Sequence, residues 1–267
     1  MPAPKTLFDK TTDFSGQPYR NITTLRESED LFDDLTDGDE AASAIAAEAE
    51  MRVKDHPVLR DSKIIQRGFH YTRSIIDYPF KNEPYLFTRF GDGTYGVWYG
   101  SLEMKTTVFE TSFHMIKAES AVEGLEEVVV RERAVYRVKC SAILIDLRGK
   151  QSSFPKLVAN NYEFTQQIGQ RINHEGHPGL LASSSRYKGT NIAIFNPDVL
   201  SDPRLHCYLT YFFDPQTFNI RVERTVGRTW LKVDGTEAMG GRFGKYGDTK
   251  RKAKIRQSGL LKTKGKK

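Results

Sequence analysis

Cysteine and long apolar runs are both scarce in the sequence. Cys140 and Cys207 are the two cysteines among 267 residues, so a disulfide framework and a Cys-x-x-Cys zinc pair are excluded. No apolar stretch approaches the ~20 residues that cross a bilayer, and the first residues contain no hydrophobic signal core. We therefore expect a cytoplasmic protein without membrane association, in a compartment where thiols stay reduced.

Several motifs that identify enzyme classes are also absent. The sequence contains no P-loop, no Gly-x-Ser-x-Gly elbow and no His-Glu-x-x-His zinc motif. His174 and His177 have the spacing of metal ligands, but Gly176 and Pro178 would end a helix between them. We expect an exposed turn at this point and predict no metal site.

Gly91, Gly93 and Gly96 spell the glycine pattern of dinucleotide-binding sites. That motif needs a helix directly after it, so that the helix N-terminus meets the pyrophosphate. Here residues 97–99, Val-Trp-Tyr, follow the glycines, and this composition is typical of a strand. We interpret the glycines as a turn and reject a Rossmann-type site.

Positive charge is concentrated at the C-terminal end of the chain. The formal net charge is +6, and residues 245–267 alone carry ten Lys or Arg and one acid, so the rest of the chain is slightly acidic. Residues 27–50 hold ten acids and no Lys or Arg, in an Ala- and Glu-rich context that favours helices. We predict an acidic helical extension over 1–63 whose residues 1–22 are irregular, a central domain over 64–244, and a disordered basic tail over 245–267. Nucleic-acid binding is not expected except through this tail.

Strand and helix patterns alternate irregularly along the central domain, which favours an α+β fold. Residues 68–75 predict a first core strand, and residues 84–101 predict a strand, a glycine turn and a second strand. Ser101 is a suitable N-cap for the helix that follows. Further patterns predict strands over 128–147, a helix over 160–176, a loop and buried strand over 179–195, a hairpin through Asp214-Pro215, and a strand over 229–233.

Four features of the central domain are candidate site residues: Arg89, Tyr99, Glu110 and the serine turn over 183–185. Each also has an ordinary structural interpretation. Arg89 could be a surface charge and Tyr99 a core aromatic residue. Glu110 opposes the apolar stripe of its predicted helix, as a solvated residue would. The serines could form a simple loop.

The order of these residues and the words around them resemble a known family. The segments FTRFGDGTYGVWYGSLEMKTTVFET and HPGLLASSSRYKGTNIAIFNP resemble the central and later blocks of the RES domain, over roughly residues 64–200. The family is named for an Arg, a Glu and a Ser, which match Arg89, Glu110 and Ser184. The family's Tyr matches Tyr99.

Two matches are open at the level of single residues. The family's serine usually follows a proline, so Ser183 and Ser185 are alternatives to Ser184. The family usually has an Arg on its first strand. In this sequence its counterpart is either the pair His70 and Tyr71 or Arg73.

The resemblance implies an ADP-ribosyltransferase-like fold, with a bent, split β-sheet, flanking helices and a cleft. It also implies a toxin of a RES–Xre toxin–antitoxin pair, which degrades NAD⁺ at the nicotinamide–ribose bond by hydrolysis or phosphorolysis. NAD⁺ is then a substrate, no cofactor is required, inorganic phosphate is a candidate acceptor, and an Xre-type antitoxin is the expected partner. Two alternatives remain: a mono-ADP-ribosyltransferase acting on a protein or nucleic acid, and a non-catalytic binding protein.

Chemistry assigns a role to each matched residue. A carboxylate beside the ribose stabilises an oxocarbenium-like transition state, which is the role for Glu110. Arg89 can clamp the pyrophosphate bidentately, and Tyr99 offers a flat face to nicotinamide. Ser184 can hydrogen-bond Glu110 or a ribose hydroxyl, while His70 or Tyr71 contacts the adenosine side.

Overall fold

The computed structural model describes residues 5–23, 68–81 and 85–240. In this part of the chain a mixed β-sheet is packed against α-helices, which confirms the α+β class. The strands are β1 (Thr11–Gly16), β2 (Tyr19–Thr23), β3 (Trp98–Ser101), β4 (Val129–Asp146), β5 (Gly179–Ser183), β6 (Thr190–Ile194), β7 (Leu200–Asp214), β8 (Asn219–Thr225) and β9 (Arg228–Asp234). The helices are α1 (Gly68–Lys81), α2 (Met104–Glu119), α3 (Glu163–His174) and α4 (Gly235–Gly240).

Five strands pair in a closed ring, in the order β4, β2, β3, β6, β5 and back to β4. The 18-residue β4 makes this possible because its first half pairs with β2 and its end runs parallel to β5. On the edge of β4 opposite to β2, β7 pairs with β4 and continues into β8 and β9 as an antiparallel extension, while β1 pairs with the second half of β4. Two register shifts between β4 and β7 bend the long strand, so the sheet divides into a ring and an open wing.

The alternation of side-chain direction along β5 and β6 shows that α1 and α3 pack on different faces of the ring. Leu181 and Ile192 belong to the apolar cluster that contains Ile75 and Ile76 of α1, whereas their chain neighbours Leu180 and Ala193 pack with α3. Successive residues of a strand point to opposite faces, so α1 and α3 lie on opposite sides of β5 and β6. The wing is covered by α2, whose buried residues pack on β7 and β8.

Most of the predicted elements are present. Residues 128–147, 160–176 and 229–233 correspond to β4, α3 and β9, and the hairpin through Asp214-Pro215 joins β7 to β8. The glycine turn leads into β3, as predicted. Residues 179–195 form β5 and β6 around the serine turn.

Three predictions of local structure were wrong. Residues 68–75 begin α1 and not a strand, because the neighbours Ile75 and Ile76 are both buried in one apolar cluster and Phe80, one helical turn after Ile76, packs against it, which outweighs the short alternation before them. The helix α2 begins at Met104 with Glu103 as N-cap, since Ser101 ends β3. The expected strand before the glycine turn is reduced to one isolated bridge, between Phe87 and Asp92.

The N-terminal residues were also predicted incorrectly. Residues 1–22 were expected to be irregular, yet β1 forms within this range, β2 begins in it, and both strands pair along β4. Their sequence is mainly polar, and strand formation there depends on the long-range partner more than on local propensity. The acidic segment over 27–50 and the basic tail over 245–267 lie outside the described residues, so their predicted structure and the domain boundaries remain predictions. No helix of the described ranges has the length and apolarity needed to cross a membrane.

Candidate active site

A cavity of about 230 Å³ lies on the face of the ring that also packs against α3, between α2 and the loop that precedes β3. Its lining combines side chains of β2, β3, β5, β6 and α2, so residues far apart in sequence meet here. Arg89, Tyr99 and Glu110 are among them, together with Ser183. The fold therefore brings the matched residues to one place, and Ser184 joins them by contacting Glu110.

Glu110 is held by two side chains. Its Oε1 accepts hydrogen bonds from Ser184 Oγ and from Asn191 Nδ2, both at 2.6 Å. Asn191 is fixed in turn, because Ser101 Oγ donates to its Oδ1 at 2.7 Å. No hydrogen bond to Glu110 Oε2 is found within the described residues, so this oxygen can meet a ligand. The face opposite the apolar stripe of α2 thus points into the cavity, and the interpretation of Glu110 as a solvated residue was wrong.

The serine turn gives each of its three serines a different partner. Ser184 is fully buried, and its Oγ accepts hydrogen bonds from the backbone N–H groups of Arg186 and Tyr187 at 3.1 Å. Its own proton is therefore directed to Glu110. Ser185 Oγ accepts from Arg89 Nη2 at 2.8 Å, and Ser183 Oγ accepts from a backbone N–H at 3.4 Å. Of the three serines, Ser184 is the one that bonds Glu110.

Arg89 is held at the cavity by the chain around residues 157–162. Nη1 donates to the carbonyl oxygens of Leu157 and Ala159 at 3.1 and 2.9 Å, and the guanidinium carbon lies 4.6 Å from the centre of the Tyr162 ring. With the bond to Ser185, three of the five N–H donors of the guanidinium are used. The side chain is thus oriented and retains donors for an anion.

Tyr99 supports the loop that carries Arg89. Its hydroxyl shares a hydrogen bond with Thr88 Oγ1 at 2.8 Å and accepts one from the Phe90 backbone N–H at 2.9 Å. Burial raises the pKa of Tyr99 to about 12, so the hydroxyl stays protonated at neutral pH. The residues on both sides of Arg89 are therefore tied to β3, while the Tyr99 ring lines the cavity.

Two charged or titratable neighbours of Glu110, Arg186 and His114, were not among the site residues predicted from the sequence. Arg186 is buried, donates to Asn160 Oδ1 at 2.6 Å and lies over the Phe113 ring at 3.4 Å. Burial lowers the pKa of its guanidinium, and the charge of Glu110 opposes this. His114 follows Glu110 by one helical turn and lines the cavity. Desolvation lowers the pKa of His114, again against the charge of Glu110.

The sequence patterns that could have identified these additional residues differ in strength. The i, i+4 spacing of Glu110 and His114 on a predicted helix would have located His114. Arg186 and Asn191 lie in the later block that resembles the RES domain. Asn21 lines the cavity from β2 and donates to the Tyr211 hydroxyl at 2.9 Å; no local pattern indicated it.

The remaining sequence candidates have mixed outcomes. His174 is exposed at the end of α3, and Gly176 at a φ of 74° terminates that helix before His177, as predicted. No group of three or more potential metal-binding side chains occurs within 5–23, 68–81 and 85–240. The side chains of His70, Tyr71 and Arg73 lie outside the described residues, and their roles stay predictions.

Comparison with known proteins gives one family. The RES domain matches residues 63–214, which include Arg89, Glu110 and Ser184. Among solved structures, the chain is similar to one described as the crystal structure of the M. tuberculosis MbcT-MbcA toxin-antitoxin complex, with 12% identity and a TM-score of 0.40, covering 78% of this chain and 89% of that one. No curated protein matches the sequence. Since the match to the RES domain spans more than half of the chain, the protein belongs to the RES domain family.

Proposed function

We propose that this protein cleaves NAD⁺ at the nicotinamide–ribose bond and transfers ADP-ribose to water or phosphate. The observation that carries the proposal is the carboxylate of Glu110, held through one oxygen by Ser184 and Asn191 in a cavity that also contains Arg89. Loss of nicotinamide builds positive charge on the ribose, as in glycoside hydrolysis. A fixed carboxylate beside the ribose stabilises that charge without having to reorganise during the reaction.

The electrostatics of the site fit a dinucleotide substrate. Arg89 lies at the cavity with unused N–H donors, and a guanidinium can bind pyrophosphate oxygens in a bidentate manner. Nicotinamide leaves as a neutral molecule, so the reaction needs no acid to protonate it. One carboxylate and one anion-binding arginine are therefore sufficient for bond cleavage, and NAD⁺ is a substrate, not a cofactor.

Membership of the RES family supports a role as a toxin. In this proposal an Xre-type antitoxin is the protein partner that covers the cleft, and the toxin acts in the cytoplasm, where NAD⁺ is available. Depletion of NAD⁺ then explains the toxicity.

A second candidate function is transfer of ADP-ribose to a macromolecule. Many transferases of this type use an additional acid two residues before the catalytic glutamate. That position is occupied by Val108, which is fully buried in the cluster below α2. Its burial favours water or phosphate over a protein acceptor.

The deciding experiment follows nicotinamide release from NAD⁺ by the purified protein, with and without phosphate. We expect release by the wild type and at least ~100-fold slower release by Glu110→Gln, and phosphate dependence would identify the acceptor. Labelled NAD⁺ added to a cell lysate would leave its label on macromolecules if the second candidate were correct. No release and no labelling would overturn both and favour a non-catalytic binding protein.

A further inference from the structure

An exposed aromatic ring lies at the rim of the cavity. Phe87 is 79% exposed and lines the cavity, two residues before Arg89. Leu86 beside it is 75% exposed but is not part of the lining. Large apolar side chains scattered over a surface need no explanation. A ring that is both exposed and at the mouth of a cavity containing Arg89 and Glu110 is in the position of a ligand contact.

The Phe87 ring is backed by the glycine turn. Phe87 pairs with Asp92 in the isolated bridge, and a Cβ atom on Gly93 would lie 3.1 Å from two carbons of the ring. Gly93 has a φ of 89°, which favours glycine. Asp92 is itself anchored, because its side chain accepts hydrogen bonds from Thr94 at 2.6 Å and from Gln170 at 3.0 Å. The backbone thus approaches one side of the ring closely, while most of the ring is open to solvent.

The size of the cavity determines what must lie outside it. Sites that enclose a drug-sized ligand typically measure ~300–1,000 Å³, whereas this cavity measures about 230 Å³. A dinucleotide is larger than most such ligands, so the cavity holds one half of it. Glu110 must meet the nicotinamide-side ribose, which assigns that half to the interior and leaves the adenosine half beyond Arg89.

We propose that the open face of Phe87 is the platform on which the adenine ring of the dinucleotide stacks. The inference rests on the proposed function and adds a specificity residue to it. Pyrophosphate on Arg89 directs the adenosine outward over the same loop, where Phe87 is the exposed aromatic ring. The glycine pattern, which does not form a Rossmann turn, contributes to nucleotide binding by supporting this ring.

Two substrates that differ only in the presence of the AMP half provide the test. Nicotinamide release from NAD⁺ and from nicotinamide mononucleotide is measured for the wild type, Phe87→Ala, Phe87→Trp and the control Leu86→Ala. Stacking of a base on an aromatic side chain contributes ~1–3 kcal/mol, so Phe87→Ala should lower kcat/KM for NAD⁺ by roughly tenfold, mainly through KM. The mononucleotide should be unaffected, Phe87→Trp should retain the wild-type values, and Leu86→Ala should change neither substrate. An equal effect of Phe87→Ala on both substrates, or no effect on NAD⁺, would overturn the proposal.

Binding of ADP separates this inference from the proposed reaction. ADP contains adenine and pyrophosphate but no bond that the enzyme cleaves. Titration calorimetry should show ADP binding to the wild type and roughly tenfold weaker binding to Phe87→Ala, whether or not nicotinamide release is observed. Loss of release with this difference intact would reject the reaction alone, whereas equal ADP binding by both proteins would reject the adenine platform.

Discussion

At the scale of single residues, one oxygen of the Glu110 carboxylate is used to orient the side chain and the other is left for the substrate. Both donors, Ser184 and Asn191, act on the same carboxylate oxygen. The carboxylate is therefore fixed in rotation while its second oxygen remains available. A side chain held in this way loses little freedom when the substrate binds, which is the condition for strong electrostatic stabilisation of a transition state.

Replacing Glu110 with Gln preserves shape and removes the charge. We expect nicotinamide release to fall by at least ~100-fold, the order of loss seen when one electrostatic contact to a transition state is removed. Folding should be retained, because the amide oxygen can still accept from Ser184 and Asn191. Glu119→Gln is the control on the same helix, since Glu119 pairs with the exposed Arg131 and neither residue lines the cavity. Full activity in Glu110→Gln would contradict its role.

The serine turn allows positioning of Glu110 and of Arg89 to be tested separately. Ser184→Ala removes a donor to Glu110 and leaves one buried and one part-buried backbone N–H group without their acceptor, so kcat should fall and stability should decrease by ~1–3 kcal/mol. Ser185→Ala releases only Arg89 Nη2 and should mainly raise KM for NAD⁺. Steady-state kinetics and urea denaturation of both variants provide the measurement. Identical kinetic profiles would show that the two serines do not have separate roles.

The predictability of these residues depends on how local their signals are. Arg89, Tyr99, Glu110 and Ser184 lie in segments that resemble family motifs, so order and spacing located them. Asn191 acts on Glu110 across 81 positions of sequence, and Asn21 approaches α2 from a strand predicted to be irregular. Contacts of this kind follow from strand pairing, which single-sequence patterns do not specify.

At the scale of elements, α3 holds the loop that carries Arg89 through hydrogen bonds and close backbone packing. Gln166 donates its amide to the carbonyl oxygens of Thr88 and Gly91 at 3.0 and 3.2 Å. At Gly169 the helix comes so close that an added Cβ would lie 1.9 Å from the Phe90 carbonyl oxygen. The position of the loop therefore depends on the absence of a side chain at one point of the helix.

Gly169→Ala should displace the loop, although alanine is the better helix former. Helix propensity favours Ala by ~1 kcal/mol, but overpacking against backbone typically costs ~1–3 kcal/mol. We expect a net loss of stability in urea denaturation and a higher KM for NAD⁺, because Arg89 moves with the loop. Gln167→Ala, at an exposed position of the same helix, should leave both values unchanged. A more stable Gly169→Ala protein would show that the loop adapts freely.

Elements with an apolar pattern in their own sequence were predicted well. Elements that form only by pairing with a distant strand were not. The strands β4, β7, β8 and β9 and the helix α3 carry clear periodicity over many residues. The strands β1 and β2 are short and polar, and their pairing partners are more than a hundred residues away. The start of α1 was misassigned because the helical pattern of Ile76 and Phe80 begins only after the segment that was predicted to be a strand.

At the scale of the whole molecule, one buried charge links the N-terminal strand to the end of β4. Asp146 is fully buried and accepts hydrogen bonds from Arg148 at 2.8 Å and from Thr12 at 3.0 Å; Lys10 lies 3.0 Å away. These partners, Arg148 above all, hold the pKa of Asp146 well below its usual value. The stabilisation is complete above the unfolded-state pKa of ~3.9 and is lost as the pH falls toward the lower folded-state value.

Acid should therefore destabilise the protein partly through Asp146. We expect the free energy of unfolding to fall as the pH drops below about 4 and toward the lower folded-state pKa of Asp146, and to fall less steeply in Asp146→Asn. At pH 7 the variant should be less stable by ~1–3 kcal/mol. Asp13→Asn, at an exposed position of β1, is the control. Parallel pH profiles for the wild type and Asp146→Asn, measured by urea denaturation, would contradict this assignment.

The closed ring of strands also determines when activity can arise during synthesis. A chain growing from the ribosome exposes Arg89 and Glu110 early, but Ser184 and Asn191 emerge 74 and 81 residues after Glu110. The ring can close only after β4 has been synthesised and pairs with β2, and after β6 has been synthesised and pairs with β3. Closing such long loops is slow and depends on non-local contacts. An unfinished chain thus lacks an oriented carboxylate, and translation itself delays the appearance of a competent enzyme until most of the protein has been made.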